Sequence, residues 1–250
     1  MGTQKTNRVT RRRLLGSAAV IVASYTTSAA ARSITGNVPW TPFAASQPET
    51  GWNGAWRFFT EAEARAVGAV AEVLIPADDL SVSGKDAGCV EFIDGQLAGS
   101  YGTSERLYMR GPFREGALEQ GDQFPWTMRD RYRLGLAALS QYCQKTFQKE
   151  FADLDTDSRT KVLKGLEAGE ITLSPVPAKV FFKQLLDNTM EGFFADPIYG
   201  GNRDMVSWKM IGFPGARYDY RPYLSKHNQK LDLEPVSIAG RPAWSKTEAN

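Results

Sequence analysis

Apolar residues recur at helical spacing in five stretches of this chain, and no stretch shows the sustained alternation of a half-buried strand. The first stretch opens at Thr60, which with Glu63 has the S/T-x-x-E spacing of a capping box. Val67, Val70, Ala71 and Leu74 then share one face, and Pro76 stops the helix because it cannot donate the next amide. A second helix is expected from about Asp86, with Cys89, Ile93 and Leu97 on one stripe. The third, from about Trp126, carries the most regular stripe: Tyr132, Leu136, Leu139, Cys143, Phe147 and Phe151. A fourth opens at Thr156 and buries Val162, Leu163 and Leu166. The proline pair Pro175 and Pro177 opens a fifth, as prolines do in a first turn. Its wide apolar face holds Phe181, Phe182, Leu185, Leu186, Met190, Phe193 and Phe194. The pattern predicts a mostly α protein: a single helical domain with long irregular loops and extended N- and C-terminal arms.

The flanks of this helical region differ in character. Residues 32–58 are rich in Pro, Gly, Ser and Trp without periodicity, and read as an irregular arm anchored by Trp40, Trp52 and Trp56. Residues 101–125 form a long loop with several glycines. From Gly215 onward the chain is polar, with Pro222, Pro235 and Pro242 and no apolar period. A tail of this kind, residues 216–250, is expected to need a surface to lie on. The expected division is 1–31 leader, 32–58 arm, 59–215 helical domain and 216–250 tail.

The leader has its own logic. Five basic residues and no acid precede a short, mildly apolar run, which ends in the small residues Ala29-Ala30-Ala31. That is the layout of an export signal. Thr10-Arg11-Arg12-Arg13-Leu14-Leu15 sharpens it to the twin-arginine pattern, with Arg11 and Arg12 as the paired arginines. The route exports folded proteins, commonly ones already carrying a cofactor, so the expected destination is the periplasm.

The remaining chemistry is sparse. A net charge of +2 over 250 residues, without a basic stripe, argues against neutralising a phosphate backbone, so no nucleic-acid partner is expected. The lone histidine, His227, sits in the polar tail as a solvated residue, which leaves little for triads, histidine zinc sites or haem ligation. No C-x-x-C, G-x-G-x-x-G or G-x-x-x-x-G-K-[ST] occurs. Cys89 and Cys143 allow one disulfide in an oxidising compartment or two buried thiols, and both options stay open. Asp78 and Asp79 follow a helix-ending proline and read as turn and cap residues. Asp153, Asp155 and Asp157 alternate like a calcium loop but lack its glycine and closing glutamate. The Tyr-Gly-Gly-Asn-Arg turn at 199–203 suggests an anion nest, yet lacks the lysine and hydroxyl that handle phosphate. No catalytic, cofactor-binding or metal-binding residue is assigned. An export signal suited to cofactor proteins thus sits on a chain without a cofactor motif. One resolution places the cofactor on a partner exported in the same complex.

Three blocks, "FFTEAEARAVGAVAEVLIPADD", "AGCVEFIDGQL" and "GFFADPIYGGNRDMVSWKMIGFPGA", resemble the gluconate 2-dehydrogenase subunit 3 family across about residues 56–216. This family provides the small subunits of membrane-bound, FAD-dependent sugar and polyol dehydrogenases acting on fructose, sorbitol, gluconate or glucose. The resemblance implies a non-catalytic subunit in a heterotrimer. One partner would be a large flavoprotein of the glucose–methanol–choline type bearing FAD, the other a multihaem cytochrome c bearing haem c. It also implies a chaperone-like role, with the twin-arginine translocase engaging this chain's leader on behalf of the flavin subunit. Contact with the outer face of the cytoplasmic membrane would then be indirect, through partners. The family assigns no catalytic residue to this subunit, and the sugar is not readable from it.

Tyr199, Arg203, Trp208, Phe213, Arg217 and Tyr218 lie together in the last block and form the candidate partner interface, since Trp, Tyr and Arg dominate interface hot spots. Two other readings remain open from the residues: a stand-alone periplasmic hydrolase using Asp78, Asp79 or Asp86, or a small-ligand-binding protein.

Overall fold

A computed structural model describes residues 54–114, 123–217, 220–231 and 233–238. The leader, most of the arm including Trp40 and Trp52, and the end of the tail lie outside the described residues. Helix α1 (Glu61–Leu74) begins with the expected reciprocal cap: Thr60 Oγ1 accepts from the Glu63 amide, and Glu63 accepts from the Thr60 amide at 2.8 Å. It ends at Ile75, one residue before Pro76.

Helix α2 (Cys89–Ala98) starts later than the sequence suggested, because the chain first turns through Gly88 at φ 87°. Cys89, Ile93 and Leu97 are all buried, as their stripe requires. Helix α3 (Met128–Phe147) opens on a second capping box, Thr127 with Asp130. It closes at Gln148 in a left-handed conformation. Phe151 therefore leaves the α3 stripe and is buried instead from a separate 3-10 turn, Phe151–Asp153. Helix α4 (Thr156–Ala168) is capped by Asp155 and stopped by Gly169. Helix α5 (Ala178–Phe194) has Pro177 at its N-cap.

The long apolar face of α5 explains the architecture. It packs against α1, α2, α3 and α4, so the four other long helices gather round it. Its Phe181 and Leu185 are fully buried beside Val67, Val70, Ile93, Leu97, Tyr132, Leu139 and Leu166. Each large side chain so enclosed contributes about 1.5–3 kcal/mol through burial. Gly135 on α3 permits the closest approach, since a Cβ there would strike the Phe181 ring. Met190 departs from the expected apolar face and is exposed. No strand occurs among the described residues, apart from a single parallel bridge between Gly215 and Val236.

Two buried polar groups tie irregular chain to this core. Asp94 on α2 is fully buried and accepts the amides of Arg57, Phe58 and Phe59 at 2.8, 2.9 and 2.8 Å. The end of the arm is thus held by a carboxylate, with Trp56 packed half-buried against the core. Asn188 on α5 accepts from the hydroxyls of Tyr101 and Tyr132 at 3.2 and 3.1 Å. Burial pushes both phenols above their ordinary range.

Residues 236–238 of the tail are fastened to this chain's own body. Val236 is fully buried, and its amide and carbonyl bond to Pro214 and Ala216. Asp196 Oδ1 accepts from Ser237 Oγ at 2.6 Å, and its Oδ2 accepts from the Ile238 amide at 2.7 Å.

Candidate partner-binding face

The segment after α5 is built around close backbone contacts. A 3-10 turn, Pro197–Tyr199, opens on Asp196, whose Oδ1 accepts from the Ile198 amide at 3.1 Å. The chain then passes Gly200 and Gly201 and lies directly on the start of α2. A Cβ at Gly88 would strike the Gly200 carbonyl oxygen, and Gly88 also sits at positive φ, so glycine is required twice over there. The Arg203 amide seals the crossing by donating to Ala87 O at 2.9 Å.

Asn202, Asp204 and Met205 all adopt left-handed backbone, at φ 45°, 57° and 55°. Such residues persist only where their surroundings over-determine them. Asn202 supplies part of that restraint: it is fully buried and donates to Ala195 O at 2.9 Å. Its Oδ1 accepts from the Ser207 amide and hydroxyl at 3.0 and 2.8 Å. Those bonds launch the short helix α6 (Val206–Ile211).

Trp208 on α6 is buried, donates its indole N–H to Phe194 O at 3.0 Å, and takes the Phe213 ring edge-on at 5.2 Å. Its role is therefore in this chain's own packing. The end of α6 and the turn after it leave three neighbouring apolar side chains partly in solvent: Met210, Ile211 at 58% exposure, and Phe213. Tyr199, earlier in the same block, is 52% exposed.

The other candidate interface residues fare differently. Arg203 donates to Glu91 at 3.1 Å and to Asp86 O at 3.3 Å, so its guanidinium already holds the family block onto α2. Half of its side chain remains in solvent. Arg217 donates to Glu234 O at 2.7 Å and so fastens the tail. Tyr218, and with it the signal arginines Arg11 and Arg12, lies outside the described residues. Met210 and Ile211 were not singled out from the sequence. Their exposure follows from the six-residue length of α6, which has no apolar period to reveal which face it buries.

The cysteines resolve as free thiols in separate packing clusters, Cys89 beside Ala71, Ala87 and Phe193, and Cys143 in the main core. Of the two options left open, the structure holds two buried thiols, with the Cys89 Sγ donating to Thr189 O at 3.5 Å. Burial, then the nearby Glu91, pushes the Cys89 thiol up to about 12. Burial, then Glu150, pushes Cys143 up to about 11.

The acidic candidates serve local structure. Asp78 accepts from the amides of Leu80 and Ser81 at 2.8 and 2.9 Å, and Asp86 accepts from Ser83 Oγ at 2.7 Å. Asp153 pairs with Arg65 at 2.6 Å. The Ser158 amide, bonded to Asp155, lowers the carboxyl of that cap. Among the described residues, no three His, Cys, Asp or Glu side chains gather as a metal site. A cleft of about 480 Å³ beside α1 is lined by Trp56, Arg65, Lys85, Glu91, Arg159 and Arg203. Its guanidiniums are largely engaged, Arg159 with Glu72 at 2.9 Å and Arg203 with Glu91. No described helix is long and apolar enough to cross a membrane.

Comparison with protein families matched residues 61–215 to the family described as gluconate 2-dehydrogenase subunit 3. The match spans α1 to the end of the glycine-rich block, and the chain belongs to this family. Comparisons with curated proteins and with solved structures gave no match.

Proposed function

We propose that this chain is the non-catalytic small subunit of a periplasmic, membrane-associated, FAD-dependent sugar or polyol dehydrogenase. On this reading it stabilises the flavin subunit and carries it through the twin-arginine pathway on its own leader. Family membership supports a subunit of a gluconate 2-dehydrogenase-type complex. The observation that supports docking onto another subunit is the contrast within the last family block. Its backbone is tightly restrained by Gly88, Asn202 and Trp208, yet it holds Met210, Ile211 and Phe213 partly in solvent. Rigid scaffolding that exposes neighbouring apolar side chains is what a docking face needs, because little conformational freedom is then lost on binding.

FAD and haem c belong to the partners on this reading. The residues here do not fit a c-type haem, which needs C-x-x-C-H, whereas the two cysteines lie buried in separate clusters. The flavin subunit would cover Ile211 and Phe213, with Tyr199 as a further contact and the exposed half of Arg203 available to a partner carboxylate.

The test is co-purification of the flavin subunit with tagged chain carrying Ile211→Asp. The Ile211 side chain is mostly exposed, so the variant should fold and unfold as the parent does while losing about tenfold in partner recovery. Undiminished recovery with a correctly folded variant would remove this face from the interface. Hydrolysis of sugars or esters by the isolated chain would instead favour a stand-alone enzyme.

A further inference from the structure

The tail contains an outward turn whose residues neither the family block nor the core uses. Arg221–Lys226 forms a 3-10 turn, and every residue from Tyr220 to Lys230 except Tyr223 is exposed. The chain on either side is fastened to the body. Gly215 pairs with Val236, Arg217 donates to Glu234 O, and Asp196 holds Ser237 and Ile238. The turn is therefore the middle of a closed loop rather than a free end.

Its composition is segregated. Arg221, Lys226 and Lys230 fall within residues 221–230 without a single acid, while Asp219, Asp232 and Glu234 lie towards the fastened ends. Among these cations stands Leu224, 76% exposed, with Tyr220 and Tyr223 packed edge to face at 6.5 Å beside it. The Lys226 amine lies 5.6 Å over the Tyr223 ring. An isolated exposed leucine is ordinary. One held at a turn among tyrosines and lysines has the chemistry of a membrane–water boundary, where aromatic rings sit at headgroup depth and lysines meet lipid phosphates.

We propose that the 221–230 turn docks on an anionic lipid surface, with Leu224 and its tyrosines entering the headgroup boundary and Lys226 and Lys230 facing lipid phosphates. An acidic protein face would complement the cations alone. The exposed leucine and paired tyrosines favour lipid, which takes up apolar tips and spread positive charge together. This contact is direct, unlike the partner-mediated one above, and does not depend on the assembly reading.

The test uses the full chain with Leu224→Cys carrying an environment-sensitive dye. Cys89 and Cys143 are buried, so labelling of the folded protein is directed to position 224. Because the dye reports that position only, membrane binding through any other part of the chain leaves it unshifted. The expected result is a blue shift on vesicles of phosphatidylglycerol and phosphatidylcholine in equal parts, and none on phosphatidylcholine alone. Adding Lys226→Glu and Lys230→Glu should raise the lipid needed for half-maximal shift about tenfold or more. No shift on the anionic vesicles, or an equal shift on both kinds, overturns the proposal. So does an equal shift with polyglutamate and no lipid, which would assign the turn to an acidic protein surface.

Discussion

Removing the Asp94 carboxylate should detach the arm from the helical body. In Asp94→Ala the amides of Arg57, Phe58 and Phe59 lose their shared acceptor. The Phe59 amide is buried, that of Phe58 partly so, and Arg57 lies nearest solvent. An unsatisfied buried donor costs about 1–3 kcal/mol, so full cost at Phe59, part at Phe58 and little at Arg57 totals about 3 kcal/mol. Removing a buried charge offsets some of this, but the donors cannot reach water until Phe58 and Phe59 lift away. At about 2–4 °C per kcal/mol for a chain of this size, the midpoint should fall by about 6–12 °C. Asp94→Asn should lie between variant and parent, because one carbonyl oxygen can still serve Phe58 and Phe59, which share Oδ1. Urea and thermal unfolding measure the loss, and hydrogen exchange at residues 57–59 locates it. Asp79→Ala, at an exposed acid, is the control and should stay within about 0.5 kcal/mol. An Asp94→Ala variant that matches this control while amides 57–59 remain protected would show that the carboxylate does not hold the arm.

Asp196→Ala should release the tail by removing the acceptor for Ser237 and Ile238, and limited proteolysis should then cut within 220–238 several-fold faster than in the parent. The thiols should react with alkylating agents only as fast as the fold opens, since both are buried and held protonated; rapid labelling of native protein would contradict their placement. Glu63 gives an acid-side prediction. Partial burial pushes its carboxyl up, but the Arg133 guanidinium and the Thr60 amide and hydroxyl outweigh this and hold it below the usual value. The stability it contributes is therefore present above its unfolded pKa and lost as pH falls through the lower folded one, so Glu63→Gln should flatten that limb of the stability–pH curve.

Local signals carried most of the helical body, and contacts distant in sequence carried what was missed. Thr60 and Glu63 mark the start of α1 because capping box and apolar stripe agree. The same device at Thr127 and Asp130 went unread, since its acid is the shorter aspartate and the expected start lay at Trp126. Phe151 continues the α3 period on paper, but Gln148 turns left-handed and carries it into the core by another route. The candidate face was partly legible. Its glycines and aromatics stood out, yet their division into buried Trp208 and exposed Ile211 depends on how the block lies against α2 and the end of α5. Arg203 illustrates the limit most clearly. Its place in the sequence put it among the interface candidates, yet its partner Glu91 lies on a helix far earlier in the chain. The tail shows the same thing, because Val236 is placed by its bonds to Pro214 and Ala216 and Ser237 by its bond to Asp196, all distant in sequence.

Co-export of the flavin subunit on this chain's leader has a direct readout. The direct measurement is dehydrogenase activity of the co-expressed flavin subunit in the periplasm when Arg11→Lys and Arg12→Lys are introduced here. Periplasmic activity should collapse while folded flavin subunit accumulates in the cytoplasm bound to this chain. Periplasmic activity at the parental level, with both arginines replaced, would contradict co-export on this leader.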